Sequence, residues 1–82
     1  MAQVRYYGFL AQNAGVREEV LPGDTVAQLL RAIRRRHGWA VSREARRCHI
    51  LVDGRSAGQS RGFRTPVGPE SRVEFLPVCG GG

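Results

Sequence analysis

The sequence predicts one α+β domain in which a mixed sheet of four to five strands packs on one main helix. Three observations carry this expectation. Runs rich in β-branched and aromatic residues lie near both ends, about residues 3–9 and 72–78. Between them, Val26, Leu29, Leu30 and Ile33 fall at i, i+3, i+4 and i+7, the stripe of an amphipathic helix. The 82 residues, 41% of them hydrophobic, suit one modest core and leave no room for a second domain.

Val4, Tyr6 and Gly8 alternate with Arg5, Tyr7 and Phe9, which predicts a first strand with bulk on both faces and a central place in the sheet. Asn13-Ala14-Gly15 supplies turn residues, and Val16 to Leu21 reads as a second strand paired with the first as a hairpin. Arg17, Glu18 and Glu19 are expected on its solvated face, because adjacent strand residues point to opposite sides and do not form a catalytic carboxylate pair. Pro22-Gly23-Asp24 ends the strand, and Thr25 with Gln28 has the spacing of a capping box that starts the helix. Arg34 to His37 complement the dipole of its last turn, and Gly38 is the stop. Trp39-Ala40-Val41 is expected as an irregular or short helical segment and Ser42 to Arg47 as a solvated connection. Cys48 to Val52 reads as a third strand ended by the Asp53-Gly54 turn. Residues 55–71 are rich in Gly, Ser, Pro and Arg, a long loop or edge strand anchored inward by Phe63 and Val67. The final strand, 72–78, is the most apolar and belongs inside the sheet.

Composition narrows the function classes. The net charge is +6 and every basic side chain other than histidine is arginine. With no lysine, the only primary amine is the N-terminus, so ubiquitin-type chains linked through lysine are excluded. The charge favours acidic partners or nucleic acid electrostatically, although the arginines of the helix read first as a solvated face. No run approaches the ~18 apolar residues of a membrane span. The N-terminus lacks the charged-then-apolar order of a signal peptide, so a soluble cytoplasmic protein is expected. Two cysteines, Cys48 and Cys79, are too few for a secreted disulfide framework.

No self-sufficient active site emerges. Gly54-Arg55-Ser56-Ala57-Gly58 matches the G-x-S-x-G nucleophile elbow, but no helix pattern and no histidine follow it. His37, Cys48, His49 and Cys79 carry zinc-binding atoms without the paired spacing that holds two ligands on one loop. Neither a Walker-type nor a dinucleotide-binding glycine pattern is present.

What remains is the end of the sequence, Cys79-Gly80-Gly81-Gly82, which follows directly on the last strand. Glycine has no Cβ and wide backbone freedom, so such a run packs no core but threads a narrow channel. The domain is expected to span 1–78 and residues 79–82 to form a flexible tail.

The order strand, strand, helix, strand, loop, strand is that of a β-grasp domain, and the residues resemble the ubiquitin-like sulfur carriers typified by MoaD, ThiS and CysO. Val4-Arg5-Tyr6-Tyr7-Gly8 is similar to the family's first strand, Asp24 to Leu30 to its helix start, and Val52-Asp53-Gly54 to its third-strand exit. The family ends in a pattern like F-x-P-P/A-V-small-G-G, and this chain reads Phe75-Leu76-Pro77-Val78-Cys79-Gly80-Gly81-Gly82 without a gap. Val78 replaces the usual Pro or Ala, Cys79 the usual valine, and Gly80 takes the small position. The stretch from Asp53 to Val67 resembles the longer MoaD-like and CysO-like members more than the short ThiS ones.

The resemblance implies that the Gly82 carboxylate is adenylated by an ATP-using, ubiquitin-activating-type enzyme and converted to a thiocarboxylate. A sulfur-accepting synthase then takes the sulfur. It implies no catalysis by the chain itself, no cofactor bound to it, and ATP only on the partner. Gly81, Gly80, Cys79, Val78, Leu76 and Tyr7 become the tail and partner-binding residues. It also places the third and last strands side by side, which brings Cys48 near Cys79 as an oxidisable pair. Two other readings stay open: a protein modifier joined through Gly82 to a lysine of another protein, and a β-grasp module whose arginines bind RNA or a protein partner. The sequence shows no basic residues interleaved with exposed aromatics, so nucleic acid is not the expected partner.

Overall fold

Alternation builds the first strand. In β1, Ala2–Tyr6, residues Ala2, Val4 and Tyr6 are buried while Gln3 and Arg5 are exposed, the pattern of a sheet with one covered face. The computed structural model describes residues 1–78. The expectations for 79–82, a flexible tail and a Cys79 partner for Cys48, lie outside the described residues.

The first strand is shorter than its sequence pattern, ending at Tyr6 instead of residue 9. Tyr7 is extended, and Gly8–Ala14 form a helix, α1, that buries Leu10. The alternation stops at Gly8, and Leu10, Ala11 and Ala14 then recur at helical spacing on the core side. Gly15 is thus no hairpin turn: at φ 80° it caps α1, its N–H donating to Ala11 O at 2.9 Å. The second strand, β2, Glu18–Leu21, still pairs antiparallel with β1, Val4 opposite Glu19 and Arg5 opposite Glu18.

The main helix, α2, spans Val26–His37. Thr25 Oγ1 accepts from the Gln28 N–H at 3.2 Å, and Gln28 Oε1 accepts from the Asp24 N–H at 2.7 Å, one residue earlier than an ideal capping box. Val26, Leu29, Leu30 and Ile33 are buried as the stripe requires. Gly38, at φ 94°, separates α2 from a further helix, α3, Trp39–Arg46. The solvated connection expected over 42–47 is therefore helical, with Val41, Ser42 and Ala45 buried against the main helix. Ser42 can be buried because its hydroxyl donates to Leu30 O at 3.1 Å.

The strand β3, His49–Val52, turns through Asp53 (φ 51°) and Gly54 (φ 85°) into the short β4, Arg55–Ser56. Two successive positive φ values suit a tight hairpin turn. Between β4 and the last strand lie single helical turns at Ala57–Gln59 and Gly62–Arg64. Val67 is buried there as expected, but Phe63 is 39% exposed and lies outside the core. The last strand, β5, Arg72–Leu76, lies inside the sheet, parallel to β1 and antiparallel to β3. The sheet has five strands in the order β2-β1-β5-β3-β4, and the α+β, ubiquitin-like β-grasp reading holds.

Glu19 departs from the solvated face assigned to it. Its side chain is 7% exposed, and Oε2 accepts from Tyr6 Oη at 2.5 Å and from His37 Nε2 at 2.6 Å. Arg36 Nε lies 2.8 Å from Oε1. The alternation that hides Leu21 hides Glu19 as well, two residues earlier on the same face, and Tyr6 and the end of α2 supply its partners. Burial, and then the hydrogen bond to Glu19, raises the Tyr6 pKa.

Three outcomes are expected. Glu19→Ala strands the Tyr6 hydroxyl and the buried His37 ring nitrogen and removes the ion pair of the exposed Arg36, and costs about 3 kcal/mol in urea unfolding. Thr25→Ala costs about 1 kcal/mol in the same assay. Because the Tyr6 pKa is higher folded than unfolded, its contribution is intact below the ordinary tyrosine value of about 10 and declines as pH rises beyond it. Unfolding midpoints across that range should fall less steeply in Tyr6→Phe; an unchanged slope would contradict the assignment.

Candidate functional site at the end of the central strand

β5 alternates between two environments. Val73 and Phe75 are fully buried, whereas Glu74 and Leu76 are half-buried on the face that no helix covers. The register brings Arg5 beside Glu74 on one flank and His49 beside Leu76 on the other. Beyond the strand come Pro77, half-buried, and Val78, 63% exposed. The central strand thus delivers the chain to the surface between β1 and β3.

Tyr7 holds this exit from the β1 side. Its N–H donates to Phe75 O at 3.2 Å, continuing the parallel ladder one residue beyond β1. Its hydroxyl donates to Glu74 Oε2 at 2.5 Å, and the Arg5 guanidinium sits 5.3 Å from its ring centroid. The hydrogen bond to Glu74 is the chief cause of a raised Tyr7 pKa, so the phenol stays a neutral donor at working pH. Gly8 follows with φ 58°, and the Pro77 ring would lie 3.6 Å from a Cβ added there. The left-handed backbone, more than the space, calls for glycine at this bend.

Tyr7 and Leu76 come together on the open sheet face, and Val78 projects at the exit. Cys79, Gly80, Gly81 and Gly82 lie outside the described residues. Sequence reasoning missed Arg5, Glu74 and His49; a period of two counted back from Leu76 puts Glu74 on the same face and would have found it, whereas Arg5 and His49 need the strand register. A depression of about 640 Å³ adjoins Tyr7 and Gly8, with Arg5 and Arg17 on its wall.

The other reactive side chains stand apart. Cys48 is half-buried, its Sγ donating to Glu44 O at 3.4 Å, and burial pushes its thiol up to about 11, which keeps it protonated and unreactive near neutral pH. Among the described residues no three His, Cys, Asp or Glu side chains converge on a metal position, and no helix is long and apolar enough to cross a membrane.

Residues 4–82 match the ThiS family profile. No curated protein matches the chain. Solved structures do, over nearly all of it. Small archaeal modifier protein 1 from Methanosarcina acetivorans superposes with a TM-score of 0.87 at 19% identity, covering 99% of this chain and 95% of its own. The Amycolatopsis orientalis BexX/CysO complex matches at 0.85 and 20%, covering 100% of both chains. A putative molybdopterin converting factor subunit 1 from Pyrococcus furiosus matches at 0.73 and 26%, covering 93% and 94%. With its β-grasp sheet, its central last strand and a family match reaching Gly82, the chain belongs to the ThiS family of small ubiquitin-like proteins.

Proposed function

We propose that this protein is a sulfur carrier in the cytoplasm, with Gly82 as the end of the working chain. The observation that carries the reading is the family match, which runs through the glycine end on a strand that exits at the surface. A carboxylate is a poor electrophile until a good leaving group is attached. In the proposed sequence the Gly82 carboxylate attacks the α-phosphorus of ATP on an adenylating enzyme and displaces pyrophosphate. A hydrosulfide-level sulfur donor then attacks the acyl carbon and expels AMP, leaving a thiocarboxylate. Gly81 and Gly82 place no side chain between the carbonyl and the incoming nucleophile. The chain supplies the acyl group and the docking surface, its partners the catalysis, and ATP is bound by the partner alone. The sulfur acceptor is a synthase of cofactor assembly, of the molybdopterin kind, or of another sulfur metabolite.

Tyr7, Leu76 and Val78 form the apolar part of the docking surface, framed by Arg5 and Glu74. Such a patch beside the tail orients the glycines towards an enzyme channel. The Amycolatopsis CysO, crystallised in complex with BexX, supports a partner of this type. A second reading, a modifier joined through Gly82 to lysines of other proteins, is favoured by the likeness to small archaeal modifier protein 1.

Intact-mass analysis after incubation with the adenylating enzyme, ATP and a sulfide source decides between them. Exchange of one oxygen for sulfur at Gly82 is expected, and deletion of Gly82 should abolish it. Isopeptide adducts on target lysines, with no thiocarboxylate, would establish the modifier instead. Leu76→Arg should weaken the complex with the adenylating enzyme by about 1–2 kcal/mol, measured by calorimetry, and leave the fold intact.

A further inference from the structure

The helix side of the molecule carries a different chemistry from the sheet side. Arg31, Arg34 and Arg35 are exposed on α2, and Trp39, Arg43 and Arg46 on α3, each set at the three- and four-residue spacing that shares one face. Arg31 and Arg46 border one groove between the helices, about 160 Å³, beside Phe63. Among the described residues, none of these arginines lies within ion-pair distance of a carboxylate; the ion pairs formed involve Arg5, Arg36 and His37. Among the described residues the helices supply these arginines with no ion-pair partner. α2 contains no acidic residue, and Glu44 of α3 accepts from Asn13 of α1 at 2.7 Å.

Two aromatic rings stand among these charges. Trp39 is 59% exposed with the Arg43 guanidinium 5.5 Å from its ring centroid, and Phe63 is 39% exposed with Arg46 at 4.9 Å. Neither ring packs into the core. The sequence separates Phe63 from the arginine-rich helices, and folding places it among them. This is the interleaving of basic and aromatic side chains that the linear order did not show.

We propose that this face binds single-stranded nucleic acid. The arginines neutralise successive backbone phosphates, and Trp39 and Phe63 offer platforms on which bases stack. An acidic protein surface would satisfy the arginines but would leave two large exposed rings without a use, so the rings favour flat bases. The surface lies across the sheet from Tyr7 and Leu76, and both faces can be occupied at once.

Trp39 is the single tryptophan of the chain, so its fluorescence reports on this surface alone. Titration of the full chain with a single-stranded uridylate oligomer should give saturable quenching. The logarithm of affinity should fall linearly with the logarithm of salt, with a slope of roughly 0.7 per phosphate contacted. Combining Arg43→Gln with Arg46→Gln should lower that slope and weaken binding about tenfold. Arg72→Gln, on the open sheet face, should change neither. Absence of saturable quenching in the unaltered chain overturns the proposal. So does equal binding of polyglutamate, which would mark a surface for acidic proteins, or a double variant, folded by circular dichroism, that binds as before.

Discussion

The parallel pairing of β1 with β5 is the constraint from which the rest of this structure follows. Parallel neighbours cannot be joined by a tight turn, so the chain between them must cross the sheet and return. Here that crossing carries α2, which covers one face, then α3 and the β3–β4 hairpin, which extends the sheet on the far flank of β5. The last strand to be made is thus the innermost one. Its ends are held by β1 and β3 together, and the segment that follows it leaves from the middle of the sheet instead of fraying from an edge.

The two faces of the sheet then diverge in character. On the covered face, Tyr6 and Phe75 pack with ring centroids 5.9 Å apart, and the Tyr6 hydroxyl reaches the Glu19 carboxylate between strand and helix. Glu19 ties β1, β2 and the end of α2 at a single point, with hydrogen bonds from Tyr6 and His37 and an ion pair to Arg36 in place of apolar contact. On the open face the neighbouring tyrosine, Tyr7, makes the corresponding bond to Glu74. Two successive tyrosines therefore hold two different carboxylates, one inside the domain and one beside the chain's exit.

Much of this was legible in the sequence because period and capping are local properties. The stripe of α2, its Thr25 start, the Asp53-Gly54 turn and the inner position of β5 all follow from residues close together in the chain. The segments that escaped depend on distant partners. Gly8–Ala14 shows helical spacing over only two turns, too few to outweigh the strand pattern before it, and the packing of Leu10 holds the segment as a helix. Ser42 and Glu19 look like surface residues until Leu30 O, Tyr6 and His37 are brought to them. At the candidate site, Tyr7, Leu76 and Val78 were named from the resemblance, whereas Arg5 and His49 appear beside β5 only once the register is known. The aromatic content of the arginine face was invisible for the same reason, since Phe63 reaches it through space.

The direction of β5 also has a mechanical meaning. A pull applied beyond Val78 runs along the strand, and the ladders to β1 and β3 lie parallel to that pull on both sides. Force in this geometry shears many hydrogen bonds at once and cannot unzip them one by one. Because β1 runs the same way as β5, tension between the start of β1 and the end of β5 loads their shared ladder in shear as well. Tension that enters at Val78 therefore meets the sheet along its most resistant direction.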